Sequence, residues 1–246
     1  MFSPVGFLQL DVVKTNLLWW IDFSDPTSYP TTGTSVVNLT GGSNGTIQNT
    51  PVYSSDFGGT MNFDGVDDYV DFGDTTFHDG APAFTIHAAV RPGSSAILSA
   101  GDVSIVRKFT AGAQTFSLGG PGGASQPYAS VRTLIRGNLG SLNSHSSANM
   151  LALDTWVFVT SRWNGDNSMT YFKNDVDWGV GIYNTRQTPG VLNNSLEHLA
   201  IGARYNNNSE DRFWNGDIAL VMFYDRALTN EEILHNYNTI RPRYML

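Results

Sequence analysis

The chain has 246 residues, 41% hydrophobic and 12% aromatic, which is enough for one large domain with a packed core. A formal charge of −8 with no basic stripe argues against nucleic acid as a partner. The absence of cysteine excludes disulfide scaffolds and thiolate chemistry, and no apolar run of about 18 residues exists for membrane insertion.

Residues 1–16 precede the first strong β pattern and are expected to form an N-terminal arm or an added edge strand. They lack a basic stretch followed by an unbroken apolar run, so no signal peptide is expected and synthesis in the host cytoplasm follows. Short β-type runs then recur at 17–23, 60–63 and 69–72. Segment 84–91 alternates with period two: Phe84, Ile86, Ala88 and Val90 are expected inward, and Thr85, His87, Ala89 and Arg91 outward. Further runs lie at 103–109, 115–118, 128–136, 155–163, 169–173, 176–180 and 198–202, and the Gly-rich stretch 119–123 reads as a loop. Segment 217–224 is apolar on both faces, as a central strand would be. This spacing, about a dozen strands, predicts an all-β sandwich or jelly roll. One helix follows. Thr229 and Glu232 fit a capping box, Leu228 can staple to Ile233, and Ile233, Leu234, Tyr237 and Ile240 form an apolar face expected to close one edge of the sandwich.

Specific motifs refine this picture. Leu17-Leu-Trp-Trp-Ile-Asp-Phe23, Gly45-Thr-Ile47, Phe63-Asp-Gly-Val-Asp-Asp-Tyr-Val70 and Phe84-Thr-Ile-His-Ala-Ala-Val-Arg91 open the series. Ala200-Ile-Gly-Ala-Arg204, Phe213-Trp-Asn-Gly-Asp-Ile-Ala219 and Phe223-Tyr-Asp-Arg-Ala-Leu-Thr229 close it. From about 17 to 243 the chain resembles the laminin-G-like jelly rolls of the concanavalin A-like lectin/glucanase group, in the style found in bacteriophage virion proteins. The resemblance implies a concanavalin A-like jelly-roll sandwich of two antiparallel sheets with one short C-terminal helix, over residues 17–246. It further implies a non-catalytic virion surface protein, either a capsid decoration or a tail-associated module. Such a protein would dock on other virion proteins through its first fifteen residues and the tail 241–246. Its outer loops would touch a host-surface glycan, and a homo-oligomer is compatible with the role. A dedicated carbohydrate-binding adhesin and a glycoside hydrolase are the alternatives, since this fold hosts all three.

Catalysis by a hydrolase of this type needs two carboxylates facing across a sugar ring. Only four Glu exist, Glu197, Glu210, Glu231 and Glu232, and none pair on a strand. Asp175 and Asp177 share one face of a predicted strand but read as a solvated face, so no catalytic residue is expected. His87 and His198 read as sheet-face polar groups. No cofactor is expected, with structural calcium as the one compatible ion. Its weak candidates are Asp64, Asp67, Asp68 and Asp217, although Asp64-Gly65 also suits a turn capped by carboxylates, and Ala219 stands where many relatives place a calcium ligand. Sugar binding calls for an aromatic ring beside amides and carboxylates. Trp178 and Tyr183 form one candidate set; Tyr205, Asn207 and Asp211 form another. Trp19, Trp156 and Trp163 fall within strands and read as core.

Overall fold

A computed structural model describes residues 11–93, 102–108, 115–121, 128–205 and 209–244. The strands run in order as β1 (Leu17–Asp22), β2 (Ser35–Val36), β3 (Gly45–Gln48), β4 (Val52–Ser54), β5 (Thr60–Asp64), β6 (Tyr69–Asp74) and β7 (Phe84–Pro92). They continue as β8 (Ser104–Lys108), β9 (Phe116–Gly119), β10 (Arg132–Arg136), β11 (Ser141–His145), β12 (Val157–Trp163) and β13 (Met169–Lys173). The last are β14 (Val176–Val180), β15 (Ile182–Arg186), β16 (His198–Ile201), β17 (Arg204–Tyr205), β18 (Glu210–Asp211) and β19 (Asn215–Tyr224), before helix α1 (Asn230–Ile240).

Two antiparallel sheets form the sandwich. One has eight strands in the order β14-β13-β12-β7-β19-β5-β4, with β1 also pairing β19; the other has nine, in the order β15-β11-β10-β9-β8-β16-β6-β3-β2. Between them lies the main core, built from alternate residues of each strand, among them Trp19, Phe63, Phe84, Ile86, Val159, Trp163, Leu199 and Phe223. This is the all-β jelly-roll sandwich with one short C-terminal helix that the motifs implied.

The helix is not at an edge. It lies on the outer face of the eight-stranded sheet and makes a second core of Ala89, Phe158, Leu220, Met222, Tyr224, Ile233, Tyr237 and Ile240, with Leu228 packed alongside as the staple requires. The side of β7 expected to face water is therefore buried. Thr85 Oγ1 donates to the Arg226 carbonyl and accepts from the Leu228 amide, while His87 contacts Asn236 of the helix. Central β19 is apolar on both faces because it separates the two cores. A bulge between Ile218 and Leu220 sends Ile218 and Val221 to the main core and Leu220 and Met222 to the second. Leu234 is exposed, and buried Asn236 takes its place on the helix's inner face.

The chain ends are tied to this layer as far as they are described. Asn236 Oδ1 accepts from the Val13 amide and Tyr224 Oη donates to the Val13 carbonyl. Within the tail expected to dock on other virion proteins, Arg243 and Tyr244 pack on the domain itself. Arg243 donates to buried Asp22, and Tyr244 is buried against Trp156. Residues 1–10, 245 and 246 lie outside the described residues.

Candidate functional site

The outer face of the nine-stranded sheet is polar where its inner face is apolar. Along β6, Val70 and Phe72 enter the core, so Tyr69 and Asp71 point out. Along β16, Leu199 and Ile201 point in and His198 points out. Strand register lines up Asp71, Ala200, Arg107, Ser117, Leu134 and Asn143 across β6, β16, β8, β9, β10 and β11. Ala200 and Ser117 are small, which lowers the floor on either side of Arg107. Over β8 and β16 folds the hairpin of β17 and β18, pairing Arg204 with Asp211 and Tyr205 with Glu210.

One end of this face carries an aromatic ring among acids. Tyr205 stacks on His198 at 4.1 Å with the rings 9° apart, and it remains half-exposed. His198 Nδ1 lies 3.0 Å from the Asp71 carboxylate, and Tyr69 Oη donates to Glu210 Oε1 at 3.1 Å. Burial first, then hydrogen bonding to Glu210 and the charges of Glu210 and Asp71, push the Tyr69 phenol well above its ordinary value, so it stays protonated. Tyr205 shifts the same way, by burial and then the charges of Glu210, Asp71 and Glu197.

The other end gathers arginines. Asp102 lies 3.2 Å from Arg107, 3.2 Å from Arg132 and 3.1 Å from Arg212. Arg204 pairs with Asp211, its Nε donating at 2.5 Å, and Arg212 also approaches Asp211 at 3.7 Å. Burial raises the Asp102 carboxyl, but the three guanidiniums outweigh it and hold the group below the usual carboxylate range. Burial presses Arg107 down to about 10, against the pull of Asp102. Beside Arg132 across the strand pair, His145 is lowered to about 4 by burial and by that guanidinium, and its Nε2 accepts from Asn184. Gly119, opposite Arg132, has no alternative: an added Cβ would lie 2.0 Å from the Val103 carbonyl.

The structure divides the residues expected to bind. Tyr205 and Asp211 lie on the two strands of the hairpin, Tyr205 opposite Glu210 and Asp211 opposite Arg204, and Asn207 lies outside the described residues. Trp178 and Tyr183 belong elsewhere, on the edge strands β14 and β15, partly buried against the core. Tyr183 Oη accepts the Met169 amide at 2.7 Å, and Lys173 covers the Trp178 ring at 4.9 Å. Both are occupied in closing the edge. Asp64, Asp67 and Asp68 do converge, with carboxylate oxygens within 4.8 Å of one another. Yet Asp68 accepts the Thr50 and Asp64 amides, and Asp64 accepts those of Val66 and Asp67. These are turn-capping bonds. Asp217 is not among them; Arg91 donates to it twice at 2.7 Å and Asn62 once. Asp175 falls in the turn before β14, so it shares no strand face with Asp177, which caps the Gly179 amide.

Sequence reading missed His198, Asp71 and the arginines as one site, because they come from strands far apart in the chain. Asp211-Arg212 beside Arg204 was the only local signal. A separate cleft of about 380 Å³, lined by Phe57, Arg91, Asp154, Trp156, Asn174 and Tyr244, lies by the C-terminal segment.

Comparisons with known proteins agree on the fold. The family model described as concanavalin A-like lectin/glucanases superfamily matches residues 64–234. No curated protein sequence matches the chain. Among solved structures, the binding domain of Paraclostridial Mosquitocidal Protein 1 superposes with a TM-score of 0.67 at 14% identity, over 92% of this chain and 52% of that one. Domain 4 of AbnA, a GH43 extracellular arabinanase from Geobacillus stearothermophilus, solved with arabinotriose, gives 0.59 at 14% identity over 90% and 98%. Trypanosoma rangeli sialidase, solved with sialic acid, gives 0.61 at 15% identity over 96% of this chain but only 35% of the enzyme. The chain thus spans about a third of the sialidase and about half of the toxin fragment.

Proposed function

The chain belongs to the concanavalin A-like lectin/glucanases superfamily, and from that premise we propose that it is a non-catalytic module binding glycans on the polar face of its nine-stranded sheet. The observation that carries this reading is Tyr205, a half-exposed ring stacked on His198 and flanked by Asp71 and Glu210. A pyranose needs an apolar platform for its C–H face and carboxylates or amides for its hydroxyls. Two proteins solved with sugars contain this fold, and at 14–15% identity they support the reading no further than that.

Non-catalysis is supported by where the acids are committed. Glu232 pairs with Arg226 and closes the capping box, Glu231 is on the helix, and Glu210 and Asp71 are held by Tyr69 and His198. The motif style of the sequence supports display on a bacteriophage virion, as a capsid decoration or tail-associated module. Co-purification with phage particles tests that location.

A glycan array tests the binding. Saturable binding that weakens at least about tenfold in Tyr205→Ala is expected, since losing one stacking ring and its contacts costs on the order of 1–3 kcal/mol. Unchanged binding in that variant, or release of reducing ends from a bound polysaccharide, overturns the proposal.

A further inference from the structure

We propose that the cleft beside the C-terminal segment is a second glycan subsite, one that takes a neutral sugar ring. It is built at the end of the second core, on the outer side of the eight-stranded sheet, whereas Tyr205 lies over the nine-stranded sheet. The inference rests on the lining of this cleft and not on the Tyr205 face.

The lining is largely aromatic. Trp156 and Tyr244 pack at 5.0 Å with their rings 34° apart, and Phe57 meets Trp156 at 5.6 Å and 62°. The volume of about 380 Å³ falls within the roughly 300–1,000 Å³ of small-ligand sites. Phe57 is brought here at a cost to the backbone. Its φ of 55° and ψ of 28° are left-handed, a conformation in which a bulky residue is an outlier. Gly58 and Gly59 follow with φ 86° and 126°. A turn that had only to reverse the chain between β4 and β5 would carry Gly or Asn at position 57 as well. What the strained position delivers is a ring at the cleft, still partly exposed.

The polar groups of the lining supply both halves of a hydroxyl's hydrogen bonding. Arg91 spends Nε and Nη2 on Asp217, each at 2.7 Å, and its Nη1 forms no bond among the described residues. Asn174 Oδ1 accepts the Phe158 amide at 2.9 Å, which leaves its Nδ2 as a donor. Asp154 is exposed, and its carboxylate has no partner among the described residues. Arg91 and Asp217 balance each other, so Asp154 is the one unbalanced charge of the lining. Of the charges next to it in the chain fold, Arg243 is bound to Asp22, and Lys173 donates to the Asn149 carbonyl and covers the Trp178 ring. Asp56 and Asp175, adjacent in sequence to Phe57 and Asn174, are exposed and add only negative charge. An anion is therefore disfavoured. A cation is disfavoured for a different reason: the Arg91 guanidinium already lies over Phe57 at 5.1 Å and over Trp156 at 5.8 Å. A neutral sugar fits both constraints. Its hydroxyls donate to the carboxylate and accept from the two N–H groups, and its C–H face rests on the aromatic lining.

The test probes an array of neutral glycans with the full chain and with Tyr205→Ala, which removes the ring of the other face. The expected result is that Tyr205→Ala still binds a subset of these glycans. Adding Phe57→Gly should weaken that remaining binding at least tenfold, and adding Asp154→Asn at least fivefold. Glycine suits the backbone at 57, and Asp154 is exposed, so both variants are expected to stay folded, which a melting curve checks. Loss of all binding in Tyr205→Ala overturns the cleft and leaves the Tyr205 face standing. Binding untouched by Tyr205→Ala but lost on Phe57→Gly supports the cleft and overturns the Tyr205 face. Remaining binding that neither Phe57→Gly nor Asp154→Asn weakens overturns the cleft, and a lowered melting temperature in Phe57→Gly would then make that ring a packing residue only. Displacement of the bound glycans by millimolar arginine methyl ester, but not by a neutral monosaccharide, would make this a cation site and overturn the proposal as well.

Discussion

Mild acid should loosen the join between the C-terminal helix and the sheet, because His87 is sealed beneath it as a neutral ring. Its Nε2 accepts from Asn236 Nδ2 at 3.1 Å, so the proton sits on Nδ1 and is donated to Thr160 Oγ1 at 2.7 Å. Asn236 also accepts the Val13 amide and donates to Tyr224, which fixes its orientation. A second proton on Nε2 would face the amide nitrogen of Asn236, itself a donor, while the carbonyl oxygen of that amide is committed to Val13. Burial accordingly lowers His87 to about 3 from an ordinary 6.5. His78 is lowered to about 3 by burial and by Lys108. With the folded value below the unfolded one, the unfolded chain binds the extra protons. The stability conferred by neutral burial is complete above pH 6.5 and is lost progressively as pH falls toward 3. Each ring contributes a slope of about 1.4 kcal/mol per pH unit, so at pH 5 the two together cost about 4 kcal/mol, and His145, lowered to about 4, adds about 2 more. That is a large part of the roughly 5–15 kcal/mol of an ordinary domain. Most carboxylates are still ionised at pH 5, so the window from 6.5 to 5 isolates the histidines. Urea unfolding at half-unit steps measures the slope, and His87→Gln should lower it by one proton's worth. A flat profile over that window, or the same slope in the variant, would refute the reasoning.

Two further outcomes are expected. Thr229→Ala removes the oxygen that accepts the Glu232 amide and should cost about 1 kcal/mol in urea unfolding, while far-ultraviolet circular dichroism stays unchanged. Calcium at millimolar concentration, or its removal by a chelator, should leave the melting temperature within about 1 °C, because the Asp64 and Asp68 carboxylates are engaged by backbone amides. A calcium-dependent rise of several degrees would mean that Asp64, Asp67 and Asp68 reorganise into a metal site.

The fold was legible because strand and helix signals are local. Period-two runs placed β7, β12, β13, β14 and β19 within two or three residues, and Thr229 with Glu232 marked the helix start. Polar strands escaped. β11 reads Ser-Leu-Asn-Ser-His and shows no apolar alternation because its outer side lies on the polar face. The position of the helix escaped for a related reason: Thr85 and His87 look solvent-facing by residue type, and only the packed helix reveals that their hydrogen bonds are internal.

The site itself was illegible for a geometric reason. In a sheet, neighbours across the strands are set by register, and register is a property of the whole fold. Asp71 and His198 are 127 residues apart, Tyr69 and Glu210 are 141 apart, and the three arginines on Asp102 arrive from β8, β10 and the strand-flanking Arg212. Alternation reveals that each of these side chains points outward but not which others it meets. Trp178 and Tyr183 mislead for the converse reason. Aromatic residues in a variable stretch resemble a binding platform, yet at the edge of a sandwich the same rings pack against the core between the sheets. The discriminating property is therefore not aromatic character but the groups that surround the ring. Tyr205 stands half-exposed on a stacked imidazole beside Asp71 and Glu210, which is the pairing of a ring face with hydroxyl acceptors that the proposed glycan site requires.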